Sequence, residues 1–102
     1  MGFLSRFFKS KPENIKAFLK RDAVILDVRT DLEWNEGHLP NAIHIPLSDL
    51  KDKIEGIKKL NKPVIAHCKS GVRSARATKL LKFYKIDAIN GGGIGDVQKL
   101  IV

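Results

Sequence analysis

The sequence predicts an α/β domain: a parallel sheet of four or five strands with helices on both faces. Three observations carry that expectation. Short apolar, β-rich runs at residues 23–28, 42–46, 64–68 and 87–90 alternate with stretches of helical spacing, and strands separated by helices pair in parallel through crossovers. The runs at 23–28 and 64–68 are apolar almost throughout, the pattern of strands covered on both faces. At 102 residues the chain is large enough for one core but not for two.

Residues 1–12 are read as an N-terminal arm and 13–102 as the domain. The arm mixes Phe3, Leu4, Phe7 and Phe8 with Arg6 and Lys9. It lacks the longer uncharged core and small-residue cleavage site of a signal peptide. Arg6 stands where a myristoylation signal has Ser or Thr, and no apolar run is long enough to span a bilayer. Its rings are expected to pack on the domain or fray. A first helix starts at Pro12, with Ile15, Phe18 and Leu19 on one face. The first clear strand, residues 23–28, is interrupted by Asp27, a carboxylate that needs partners there. Thr30 or Asp31 can cap a short helix carrying Leu32 and Trp34. Gly37-His38-Leu39-Pro40-Asn41 is turn chemistry. Pro46 ends the next strand. Ser48-Asp49 is expected to cap a helix with Leu50, Ile54, Ile57 and Leu60 inward. The strand at 64–68 leads into a polar loop, then a helix to about Tyr84. After a last short strand at 87–90, Gly91-Gly92-Gly93 reads as a backbone path closed to side chains. Gly95-Asp96 opens a final helix with Val97, Leu100 and Ile101.

Nineteen Lys and Arg against 11 Asp and Glu give a net charge of +8. The cations are scattered and no nucleic-acid motif accompanies them, so the charge is read as solubility and attraction of anions, without nucleic-acid binding. One cysteine excludes an intrachain disulfide and suits the reducing cytoplasm.

That cysteine, Cys68, stands where the strand at 64–68 turns into a helix. A core cysteine would sit inside the apolar run; this one sits at its polar end, before Lys69-Ser70-Gly71. The first amides of a helix lack intrahelical acceptors and favour negative charge. Such surroundings lower a thiol pKa from about 8.5 to roughly 3.5–7.5. The expectation is a thiolate nucleophile in an anion cradle formed by Lys69, Ser70, Gly71, Val72 and Arg73. In parallel α/β sheets ligands bind at the carboxyl ends of the strands. Asp27 and Arg29, the Cys68–Arg73 loop and the three glycines all fall at such ends. His67 precedes Cys68 and faces the opposite side, which gives it a packing role. His38 and His44 lack metal-site spacing with Cys68.

Asp27-Val28-Arg29, Glu33-Trp34, and the run from Gly37 through Pro46 resemble the first motif block of the rhodaneses. Cys68-Lys69-Ser70-Gly71-Val72-Arg73-Ser74 resembles the active-site loop of the single-domain members, and Asn90-Gly91-Gly92-Gly93-Ile94 their late Gly-Gly motif. The resemblance covers residues 13–95. It implies a rhodanese-like α/β fold and a sulfurtransferase that moves sulfane sulfur from thiosulfate to cyanide, a thiol or a sulfur-accepting protein. It implies Cys68 as persulfide carrier, with loop amides and Arg73 as anion binders. Asp27 and Arg29 are assigned structural roles, pairing or bonding to loop amides beside the site. No metal, nicotinamide or flavin is required. Relatives that use mercaptopyruvate resemble loops with Thr at the place of Arg73, so thiosulfate is the expected donor. Two departures stand out: Val97 replaces the family's usual aromatic residue, and residues 5–9 are the only candidates for its short first strand. A non-catalytic partner-binding module is the alternative, but such modules typically lack the cysteine. A related phosphatase or arsenate reductase needs a longer loop between Cys and Arg than the four residues Lys69 to Val72.

Overall fold

The computed structural model describes residues 9–101. The expected strand at 5–9, apart from Lys9, and the aromatic side chains of the arm lie outside the described residues. The elements are α1 (Pro12–Lys20), β1 (Val24–Asp27), α2 (Asp31–Asn35), β2 (Ile43–His44), a 3-10 helix (Leu47–Lys53), α3 (Ile54–Leu60), β3 (Val64–Cys68), α4 (Val72–Phe83), β4 (Ala88–Gly93) and α5 (Ile94–Ile101). The four strands form one parallel sheet in the order β2-β1-β3-β4.

Alternation of side chains along the strands divides the core into two layers. Leu26, Val28, Val64, Ala66 and Ala88 pack with Leu50, Ile54 and Ile57 of the 3-10 helix and α3, and with Ala77 and Leu81 of α4. Ile65 faces the other way, against Ile15 of α1, Leu39 and Val97 of α5. Leu81, Leu50 and Ile65 are completely buried, and each such side chain contributes about 1.5–3 kcal/mol. Val97 is also fully buried. A Cβ on Gly91 would lie 2.6 Å from its Cγ2, so Gly91 and Val97 fill one space together.

The element ends explain where sequence reading and structure differ. Thr30 caps α2 in a full capping box with Glu33, while Ser48 and Asp49 cap nothing. The amides of Ile45 and Leu47 are drawn to the carbonyls of Asp27 and Val28, so a 3-10 turn starts at Leu47, directly after Pro46. Leu60 is 42% exposed rather than inward. It is the last residue of α3, and the left-handed Asn61 (φ 52°) turns the chain away. The last strand continues through the three glycines to Gly93 rather than ending at residue 90. A bulge shifts the register so that His67 pairs with Gly92 and Cys68 with Gly93, leaving Gly91 as the extra residue. The last helix starts at Ile94, and the Asp96 carboxylate accepts from the Gly93 amide at 2.9 Å.

Candidate active site

Parallel strands bring their carboxyl ends to one edge. There Asp27 of β1 is level with His67 of β3, and Cys68 is level with Gly93 of β4. Cys68 is completely buried. The loop after it exposes Lys69 and Ser70, then turns back at Gly71, whose φ of 105° lies in the left-handed region. An L-residue is strained there, and that turn aims the Gly71 amide at Sγ, 2.9 Å away. Close approach is needed a second time at Gly93, where a Cβ would collide with the Lys69 carbonyl oxygen. Gly71 is also the N-cap of α4, so the sulfur faces helix-start amides. Burial pushes the Cys68 thiol up, but the Ser74 hydroxyl and the Gly71 amide bond to the sulfur, the nearby amides of Ser74 and Ser70 add their favourable dipoles, and the net shift is downward.

Asn90 holds this arrangement, and the sequence reading gave it no role. Its Nδ2 donates to the Gly71 carbonyl at 3.0 Å. Its Oδ1 accepts from the Gly92 amide at 2.9 Å and from the Ser74 hydroxyl at 2.7 Å. The single Ser74 hydrogen therefore has a choice, because Cys68 Sγ lies 3.4 Å and the Gly92 carbonyl 3.3 Å from the same oxygen. A neutral thiol leaves it on Asn90; a thiolate competes for it. The available signal was an amide side chain inside an otherwise apolar strand, which needs partners.

Arg73 does not stand alone. Its two terminal nitrogens donate to Glu33 at 2.6 and 2.9 Å, half-buried at the rim. The Arg73 fork holds the Glu33 carboxyl at about 2, well below its usual 4.5. Glu33 Oε1 also accepts from the amide and hydroxyl of Thr30, so the capping box of α2 orients Arg73 across 40 residues of sequence. The Trp34 ring stacks on His38 at 3.5 Å and on His44 at 4.7 Å. That stacking fixes α2 against β2. Val72, 48% exposed, is the first residue of α4 after the loop.

Asp27 and Arg29 bond to each other instead of to the cysteine loop. Asp27 Oδ1 accepts from the amide and Nε of Arg29, and Oδ2 from its terminal nitrogen at 2.8 Å. That nitrogen also donates to the Gly37 carbonyl at 2.8 Å. Burial raises the Asp27 pKa, but the Arg29 bonds outweigh it and hold the carboxyl below its ordinary value. Beside this pair, His67 is fully buried; its Nδ1 donates to the Cys68 carbonyl at 3.2 Å, while its Nε2, 3.7 Å from Asp27 Oδ2, has no hydrogen-bond partner among the described residues. Burial keeps its imidazole below the ordinary value, hence neutral. Among the described residues no group of three His, Cys, Asp or Glu side chains could hold a metal ion, and no helix is long and apolar enough to cross a membrane.

The model of the rhodanese-like domain matches residues 11–96. The chain belongs to the rhodanese-like domain family. It is 42% identical to the uncharacterized protein YqhL of Bacillus subtilis over 62 residues, 61% of this chain and 48% of that one. It is 36% identical to the putative sulfurtransferase YtwF of the same organism over 69 residues, 68% and 66% of the two chains. To the thiosulfate sulfurtransferase GlpE of Coxiella burnetii it is 34% identical over 76 residues, 72% and 70%. The chain thus spans about half of YqhL and two thirds of YtwF. Among solved structures, it is similar to a rhodanese-like domain protein from Staphylococcus aureus, with 34% identity, a TM-score of 0.70, and 83% and 85% of the chains covered. Rhodanese-like relatives therefore include proteins named as sulfurtransferases.

Proposed function

We propose that this chain is a thiosulfate sulfurtransferase with Cys68 as its nucleophile and persulfide carrier. The observation that supports this most is the Gly71 amide, 2.9 Å from a buried sulfur at the start of a twelve-residue helix. The Cys68 thiolate attacks the outer sulfur of thiosulfate. The Cys68–sulfur bond forms as the bond to the sulfite group breaks, and sulfite departs with the electron pair. The amides of Ser70, Gly71 and Ser74 face the negative charge throughout, and aligned donors of this kind stabilise developing anions. An arginine has five N–H donors. The Glu33 pair engages two, leaving the others for sulfite oxygens. Lys69, exposed on the loop, adds cationic charge at the mouth. A second nucleophile, cyanide or a thiol, then takes the outer sulfur and returns Cys68 to the thiolate. A thiol that cycles in this way suits a reducing cytoplasm.

The test is steady-state turnover of thiosulfate and mercaptopyruvate with cyanide as acceptor. Thiosulfate is the better donor in the wild type. Arg73→Ala removes a charge-assisted bond worth about 1.5–3 kcal/mol, so its thiosulfate kcat/KM falls roughly ten- to a hundredfold. Lys69→Ala costs less, because water replaces a flexible ammonium. Wild type preferring mercaptopyruvate, or Arg73→Ala with undiminished thiosulfate turnover, contradicts the donor assignment.

A further inference from the structure

A cleft of about 850 Å³ runs beside the cysteine loop, and the reaction above makes no use of it. Its walls are α4, β4 and the segment before α1: Arg76, Lys79 and Lys82 on one side, Lys9 and Lys11 on the other, with Val72, Ala75 and Ile89 as apolar surface. No acidic residue lines it among the described residues, and α4 itself contains none. Lys9 is paired with Asp96 at 3.2 Å. Lys11, Arg76, Lys79 and Lys82 have no ion-pair partner among the described residues. The cations of α4 recur every third residue from Arg73 to Lys82, so the basic stripe starts at the cysteine loop and leads away from it. Eleven carboxylates are available elsewhere in the chain, so the concentration of positive charge here is local, beyond the net excess.

We propose that this cleft docks an acidic segment of a protein whose thiol accepts sulfur from Cys68, a partner role that rests on the function proposed above. The acceptor thiolate attacks the outer sulfur of the Cys68 persulfide. A new sulfur–sulfur bond forms on the acceptor as the bond to Sγ breaks, the electron pair returns to Cys68, and the acceptor leaves as a persulfide. No oxidant or reductant is consumed. From Val72 to Lys82 the helix rises about 15 Å, which an extended peptide spans in about five residues. The acceptor's acidic residues therefore lie within about five positions of its thiol. A single-stranded nucleic acid fits the charge but not the walls. None of the described residues lining the cleft is aromatic, and single strands are held largely by stacking on such rings.

Two peptides test this, Cys-Gly-Glu-Glu-Glu-Glu and its Gln counterpart, used as acceptors from the persulfidated protein and, with Ser for Cys and a fluorescent label, as binding probes. Exposed ion pairs are individually weak, so three together favour the Glu peptide about tenfold in both assays at low salt. Arg76→Gln/Lys79→Gln/Lys82→Gln removes that preference and leaves cyanide turnover unchanged. The charge-matched control Lys51→Gln/Lys58→Gln/Lys59→Gln, outside the cleft, retains it. Equal loss in the control, no preference in the wild type, or tighter cleft-dependent binding of oligouridylate than of the Glu peptide overturns the proposal. If no persulfide forms while the labelled Glu peptide still binds with the stated variant pattern, the cleft stands as an acidic-peptide site and the reading of Cys68 fails.

Discussion

The carboxyl ends of β1 and β3 lie side by side and carry opposite solutions to buried polarity. At the end of β1, Asp27 and Arg29 are almost fully buried and use their donors and acceptors on each other and on the Gly37 carbonyl. At the end of β3, Cys68 is equally buried, but its neighbours are amides and a hydroxyl that gain most when the sulfur is negative. A closed network fixes a chain segment. Donors gathered around one polarisable atom, with a cationic rim, prepare it for chemistry. The two arginines repeat the contrast. Arg29 is sealed in, whereas Arg73 meets Glu33 with 35% of its side chain exposed.

Removing one partner from the closed network is expected to have the largest effect on stability. Asp27→Ala strands a buried guanidinium, and such losses cost about 3–5 kcal/mol. Urea denaturation reads this, and the folded fraction should still form a persulfide. A variant that melts like wild type but cannot be persulfidated would erase the difference between the two strand ends. Asn90→Ala acts on the other side of the comparison. It leaves the Gly71 carbonyl and Gly92 amide without their partner, which costs about 1–3 kcal/mol. It also frees the loop that aims the Gly71 amide, so the thiol pKa rises. The pH dependence of iodoacetamide alkylation measures that rise, and an unchanged profile would make Asn90 purely structural.

Two smaller effects follow from titration. Glu33 is held at about 2 against 4.5 for a free carboxyl. The unfolded chain therefore binds the proton first as pH falls. The stability given by the pair is complete above pH 4.5 and is lost towards pH 2. Near the surface, solvent screening limits it to about 1 kcal/mol. Glu33→Gln should flatten this acid limb in urea titrations at successive pH values. His67 is neutral in its buried site, while an unfolded imidazole titrates at 6.5. Stability is therefore complete above that value and declines below it, and His67→Gln should remove that step.

Much of this was legible in the sequence because local patterns and global fold agree. The strands at 64–68 and 23–28, the helix after the cysteine and the gathering of motifs at one sheet edge follow from apolar runs and helical spacing. The placement of the loop amides at the sulfur follows from a strand that turns directly into a helix. The interactions that were not legible all join distant residues. Glu33 could be read as a helix-capping partner of Thr30, but nothing local says that its carboxylate also meets Arg73. Asn90 sits in a motif that reads as backbone only, and its contacts depend on the bulge at Gly91. Ser48 and Asp49 look like helix caps until the hydrogen bonds from residues 45 and 47 to the end of β1 fix where the turn must begin.

The most direct measurement is the intact mass of the protein after incubation with thiosulfate. The donor cradle at the end of β3 predicts a gain of one sulfur atom in the wild type, removed by cyanide or dithiothreitol and absent in Cys68→Ser. A wild type that gains no sulfur, or a Cys68→Ser variant that still does, would contradict it.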